Sequence, residues 1–199
     1  MNYNDFLIFL LKIGDLSLPG NIAHFQMSVP NRKKIFFDLD IKKKKINKAA
    51  VLVLINPSIN NEPTITLIVR PNNTGVHSGQ ISFPGGRVEK IDNSLWETAL
   101  RETNEEIGIN PCKVNFIKEL SRLYIPPSNF LVYPFIGYLN ERSKFRIDNN
   151  EVDEVLEIPI SSLIDKKNRS KMKITNSYMK NIEVPCYKFN KKLIWGATA

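Results

Sequence analysis

The segment that most constrains this chain runs from Gly85-Gly86-Arg87 through Asp92 to Arg101-Glu102-Thr103-Asn104-Glu105-Glu106-Ile107-Gly108-Ile109. It places a glycine turn, an arginine and several carboxylates in one loop and one helix. At about 100° per residue, Glu102, Glu105 and Glu106 fall within roughly a third of a helix circumference. Trp96, Ala99, Leu100, Thr103 and Ile107 gather on another face, suited to a core. Crowded like charges cost about 0.2–0.5 kcal/mol per pair, which a hard divalent cation would more than offset. The spacing therefore predicts a helix from Ser94 to Ile107, with Asn93 or Ser94 as its N-cap and Gly108 closing it. One stripe of that helix is apolar, and a second is acidic and solvent-facing.

Strands are expected on both sides of this unit. Ala49-Ala50-Val51-Leu52-Val53-Leu54-Ile55 is a nearly continuous apolar run and reads as a buried strand over 48–56. Residues 64–70 read as its hairpin-like partner across a loop at 58–62. Further strands are expected over 114–124 and 130–139, flanking Pro126-Pro127, and over 171–176, 184–189 and 191–195, with a helical turn at 161–165. Residues 1–12 read as a short amphipathic helix stopped by Leu18-Pro19-Gly20. The polar, basic segment that follows, up to Lys45, has no clear period. The expected organisation is an N-terminal helix and basic extension over 1–44, packed on one domain over 45–199. The absence of an internal repeat excludes a solenoid.

Composition narrows the function classes. There is no run of eighteen or more apolar residues, and Phe6 to Leu11 is too short to span a bilayer, so no membrane partner is expected. The start lacks a basic leader with a cleavage site. Cys112 and Cys186 form no framework and read as unpaired structural thiols, which makes the cytoplasm the expected compartment. A net charge of +8 favours anionic small molecules. The run Lys42-Lys43-Lys44-Lys45 reads as a solvated loop, and the chain lacks the aromatic-basic interleaving of a nucleic-acid surface. A homodimer is left open.

The helix-loop segment resembles the Nudix box, the signature of enzymes that hydrolyse a nucleoside diphosphate linked to another moiety. The match runs from Gly86 over five residues to Asp92, then over eight residues to Arg101-Glu102, Glu105-Glu106 and Gly108-Ile109. Asp92 stands where the general pattern has Glu, one extra residue precedes Arg101, and Thr103 fills a hydrophobic slot. Upstream, Leu67-Ile68-Val69-Arg70 and Gly75-Val76-His77-Ser78-Gly79-Gln80-Ile81-Ser82-Phe83-Pro84-Gly85-Gly86 are similar to the extra motif of the coenzyme A pyrophosphatase branch. Gly75 replaces a basic residue found in that branch, so its role would pass to Arg70, Arg87 or a lysine.

The resemblance implies an α/β fold: a Nudix-type α/β/α sandwich with a mixed sheet and the box as catalytic loop-helix-loop. It implies Mg2+ or Mn2+, with Glu102, Glu105, Glu106 and the Gly86 carbonyl as ligands. Arg101 would orient the loop by gripping Glu89 or Asp92, and Glu151, with Glu154 as the alternative, would complete the site or activate water. Arg70, His77, Gly85, Gly86 and Arg87 are the expected substrate contacts, His77 by loop support or direct touch. The implied reaction is hydrolysis of coenzyme A or acyl-coenzyme A to 3',5'-ADP and (acyl-)4'-phosphopantetheine. ADP-ribose, dinucleotides or nucleoside triphosphates are the rival substrates, and a basic nucleic-acid-binding module is the rival outside enzymes.

Overall fold

The apolar run beginning at Ala49 becomes the central strand β1 (Asn47–Pro57) of a mixed sheet in a computed structural model that describes residues 1–28, 46–72, 79–176 and 179–199. Its described residues fall into two units, one of Met1–Leu18 and Asn47–Ile160, the other drawn from Pro19–Ile46 and Ser161–Ala199. In the first unit, β1 pairs antiparallel with β2 (Pro63–Val69) and parallel with β7 (Phe130–Leu139). Two short strands, β3 (Ile81–Ser82) and β4 (Gly85–Arg87), pair with β2 and β1. Strands β5 (Val114–Glu119) and β6 (Leu123–Ile125) both pair with β7, and β8 (Glu154–Pro159) pairs with β2.

Both faces of β1 are apolar because both are covered, which is why its sequence reads as a continuous run rather than an alternation. Ala50, Leu52 and Leu54 join Ile68, Phe135 and the helical residues Ala99 and Ile107 in one core. Val53 and Ile55 point the other way and pack with Ile136 against Tyr3, Phe6 and Leu10 of helix α1 (Tyr3–Ile13). Burial of side chains such as Phe6 and Leu10 contributes about 1.5–3 kcal/mol each. The Tyr3 hydroxyl reaches the Leu139 carbonyl at 2.7 Å, and burial raises its phenol above the usual range. The amino-terminal helix is thus one layer of an α/β/α sandwich, and the box helix is the other.

Two expectations about elements need correction. The strand foreseen over 114–124 is two strands, because Leu120 N–H donates to the Pro134 carbonyl at 2.8 Å and proline has no N–H to return. The segment after Gly20 contains a short helix, α2 (Asn21–Gln26), too brief to show a period. The run Lys42–Lys45 lies outside the described residues. In the second unit, β9 (Arg169–Asn176), β10 (Met179–Phe189) and β11 (Lys192–Trp195) form an antiparallel sheet. Among the described residues, no helix is long and apolar enough to cross a membrane.

Candidate active site

The box helix α3 spans Leu95–Ile107. Ser94 is its N-cap, its Oγ accepting from the Glu97 N–H at 3.1 Å, while Glu97 Oε2 takes the Asn93 N–H at 3.0 Å. Gly108 ends it in the left-handed conformation, donating to the Asn104 carbonyl at 2.8 Å. The buried face carries Thr98, Ala99, Thr103, Glu106 and Ile107. The expected solvent-facing acidic stripe is therefore corrected: Glu106 is 2% exposed, whereas the Glu105 side chain is 51% exposed. Strand β4 lies beside the helix between β1 and the glutamates, and its backbone covers two of the three carboxyls.

Gly85 and Gly86 make that coverage achievable. Gly85 sits at φ +140°, where a Cβ would fall 2.4 Å from the Ala50 carbonyl oxygen, and its N–H donates to Glu106 Oε2 at 2.8 Å. A Cβ on Gly86 would meet the Glu102 carboxyl at 2.3 Å, so Glu102 rests directly on the glycine backbone. Arg70, leaving β2, brings Nη1 to 3.8 Å from Glu106 Oε1. Burial pushes Glu106 up to about 8, against the opposing pull of the Gly85 N–H and Arg70. Burial also raises Glu102, opposed by Arg101 and reinforced by Glu105 and Glu151.

Arg101 ties the loop to the helix. Its Nε and Nη2 donate to Asp92 Oδ1 and Oδ2 at 2.8 and 3.1 Å, the two-bond clasp that a planar guanidinium makes with a carboxylate. Nη2 is shared further with Glu102 Oε1 at 3.0 Å and the Arg87 carbonyl at 3.1 Å, and Nη1 donates to Glu105 Oε2 at 2.8 Å. Of the two partners foreseen for Arg101, Asp92 takes the role, and Glu89 supports it by donating its N–H to Asp92 Oδ2 at 2.8 Å. The buried Thr98 hydroxyl adds a fourth bond to Asp92 at 2.9 Å, and no pattern in the sequence singled it out. The Arg101 contact, more than any other, holds Asp92 down at about 2.

Glu151 closes a turn after Asp148, and its charge is near enough to raise both Glu102 and Glu106. Glu154 opens β8 opposite Val69. Asn104 and Glu105, with the loop from Arg146 to Asn150, border a polar hollow of about 490 Å³. The structure thus gathers Arg70, Gly85, Gly86, Glu102, Glu106 and Glu151, with Arg101 joining Glu105 and the Arg87 carbonyl to them. The Arg87 side chain is exposed, and His77 lies outside the described residues.

Among the described residues, no three His, Cys, Asp or Glu side chains converge as a metal-holding group. Arg101 and the Gly85 N–H instead engage the three helix glutamates separately. The donor chemistry nevertheless suits a hard cation: every side-chain donor is a carboxylate oxygen, two are desolvated, and their charges oppose one another. A divalent ion would supply the counter-charge that burial otherwise replaces with a proton.

Comparison with known proteins agrees with this geometry. Residues 46–177 match the family described as NUDIX domain. A protein of Photorhabdus laumondii described as "Uncharacterized Nudix hydrolase NudL" is 29% identical over 184 residues, covering 92% of this chain and 93% of its own. A protein of the same description from Pectobacterium atrosepticum is 33% identical over 158 residues, covering 76% and 77%. The crystal structure of a MutT/nudix family protein from Enterococcus faecalis superposes with a TM-score of 0.51 at 16% identity, covering 87% of this chain and 64% of that one. That last likeness concerns the fold alone.

Proposed function

The chain belongs to the Nudix family and is a Nudix hydrolase, and from that premise we propose that it cleaves the pyrophosphate bond of coenzyme A or its thioesters. The products are 3',5'-ADP and 4'-phosphopantetheine or its acyl form. The observation that carries the catalytic part is the seating of Glu102 and Glu106 on the Gly85-Gly86 backbone. The substrate part is supported by the Phe83-Pro84-Gly85-Gly86 approach to the box and by the His77-Ser78-Gly79-Gln80 motif before it.

Glu102, Glu105, Glu106 and the Gly86 carbonyl would hold Mg2+ or Mn2+, the divalent ions that Nudix hydrolases generally use. Such an ion lowers the pKa of water and neutralises phosphoryl oxygens. Glu151 takes the proton of the attacking water at its carboxylate. Water oxygen joins one phosphorus, the bond from that phosphorus to the bridging oxygen breaks, and the bridging oxygen leaves with the other phosphate. Arg101 keeps Asp92 and the Arg87 carbonyl fixed to the helix, so the β4 backbone does not shift as charge develops. Arg70 faces Glu106 from the residue after β2 and offers a guanidinium to the phosphate oxygens.

The test is a panel of coenzyme A, dephospho-coenzyme A, ADP-ribose and a nucleoside triphosphate with Mg2+ or Mn2+, with products identified by mass. Coenzyme A should be the most efficient substrate. Its advantage over the dephospho form should shrink with salt, because charge contacts to the 3'-phosphate are screened over about 8 Å at physiological ionic strength. Faster cleavage of ADP-ribose would move the substrate to that class, and turnover of none would overturn the enzymatic reading.

A further inference from the structure

Two catalytic elements far apart in sequence, the turn of α3 carrying Glu106 and the turn carrying Glu151, meet at one residue that no motif marks. The last carbonyls of α3 have no partner within the helix and need one outside it. Asp148 N–H takes that of Glu106 at 3.0 Å, and Arg146 N–H takes that of Ile107 at 2.9 Å. The Asp148 carbonyl then accepts from Glu151 N–H at 3.0 Å and Val152 N–H at 2.9 Å. Its side-chain Oδ1 accepts from both the N–H and Nδ2 of Asn150 at 2.9 Å. An aspartate at the first position of a turn favours this closure. Beyond it, Val152 is fully buried in the core that includes Ile107, and Asp153 N–H donates to the Val69 carbonyl beside Arg70.

We propose that Asp148 is a positioning residue: its backbone joins the Glu106 carbonyl to the Glu151 turn, and its carboxylate, by holding the N–H and Nδ2 of Asn150, fixes the shape of that turn and so the distance between Glu151 and the carboxylates of α3. This rests on the reading of Glu151 as proton acceptor. In this role Asp148 acts through Glu151 and is not itself the proton acceptor. Alanine at this position loses both bonds from Asn150, whereas asparagine keeps a carbonyl oxygen to accept them.

The experiment measures kcat and KM of full-length D148A, D148N, E151Q and the D148A/E151Q double variant on whichever pyrophosphate substrate the wild type cleaves best. Mn2+ affinity is read alongside from the paramagnetic resonance signal of free Mn2+, and folding from thermal unfolding. D148A should lose about tenfold in kcat with KM nearly unchanged, because misplacing a catalytic group by a fraction of an ångström is enough for that. D148N should stay within about twofold of wild type, and D148A should add almost nothing to the loss in E151Q, the mark of two residues acting as one unit. Mn2+ affinity should be unchanged in D148A. A D148A enzyme with full kcat, a loss additive to that of E151Q, weakened Mn2+ binding, or a D148N as impaired as D148A would each overturn the proposal. Full turnover in E151Q would instead remove the role of Glu151, and the proposal with it.

Discussion

Arg101 holds Asp92 through two parallel hydrogen bonds of 2.8 and 3.1 Å, although Asp92 is one residue further from it than the general box pattern places the loop carboxylate. The Thr98 hydroxyl and the Glu89 N–H complete the carboxylate's coordination. Lysine at position 101 keeps the charge but cannot make the planar clasp or serve Glu102, Glu105 and the Arg87 carbonyl together. Arg101→Lys should therefore lower turnover by at least about tenfold, since charge-assisted, two-bond contacts are the strong ones. Steady-state kinetics of the folded variant is the check, and unchanged kinetics would show that this clasp is not needed.

Glu106→Gln should abolish nearly all metal-dependent turnover while leaving the fold intact. The amide oxygen can still accept the Gly85 N–H, but the charge offered to a cation is gone. Because Glu106 is buried rather than on a solvent-facing stripe, the metal-free variant should also be more stable than wild type at pH 8. The gain is on the order of 1 kcal/mol or more, the desolvation penalty of a poorly compensated buried group. At pH 4, below the ordinary carboxyl value of 4.5, where Glu106 is protonated in the folded chain and mostly protonated in the unfolded one, the two proteins should unfold nearly alike. Chemical denaturation at the two pH values separates these outcomes.

A second consequence of that burial is a pH-dependent stability in the wild type. Glu106 is raised to about 8, so between the ordinary carboxyl value of 4.5 and about 8 the folded chain holds a proton that the unfolded chain has released. Stability from this group is thus greatest below 4.5 and falls as pH rises toward 8. Glu102 is shifted in the same direction, whereas the contribution of Asp92 is lost only as pH falls toward about 2 and leaves this window untouched. Metal-free protein should have a lower thermal midpoint at pH 8 than at pH 6, and Mg2+ should raise the midpoint more at pH 8, because a cation binds the ionised form. The decline should be flattened in Glu106→Gln. A wild-type profile as flat as that of the variant would contradict a buried, protonated Glu106.

The helix, its caps and the carboxylates were legible because each is written in contiguous residues: Ser94 and Gly108 bound a segment whose 3.6-residue period places Ala99, Thr103 and Ile107 on the core side. The strand over Asn47–Pro57 was equally legible from its apolar run. Which side of Glu106 faces solvent was not, since that depends on β4 arriving from twenty residues upstream to pair with Ala49, Ala50 and Val51. Thr98 as a partner of Asp92 and Asp148 as a partner of Glu106 were hidden for the same reason: both bonds depend on how a loop closes against the helix, which no local period encodes. The break after Glu119 was traceable only through Pro134 on a neighbouring strand.

The adjacent glycines of β4 should respond to alanine in opposite ways. At Gly85 a methyl would lie 2.4 Å from the Ala50 carbonyl and 2.5 Å from the Val51 Cα, both backbone atoms, at a φ of +140°. Nothing there can move without breaking the β1–β4 pairing, so Gly85→Ala should cost about 2–4 kcal/mol of stability, the range for strained backbone combined with overpacking. At Gly86 the three atoms nearest to the methyl all belong to the Glu102 carboxyl, the far end of a flexible side chain. Glu102 can swing away, so Gly86→Ala should cost about 1 kcal/mol or less in stability. Its kcat should nevertheless fall by about tenfold or more, because the displaced carboxylate no longer sits where the site needs it. Paired urea denaturation and turnover measurements distinguish the two. A Gly86→Ala enzyme with wild-type turnover would mean that the resting position of Glu102 against the glycine backbone plays no part in the reaction.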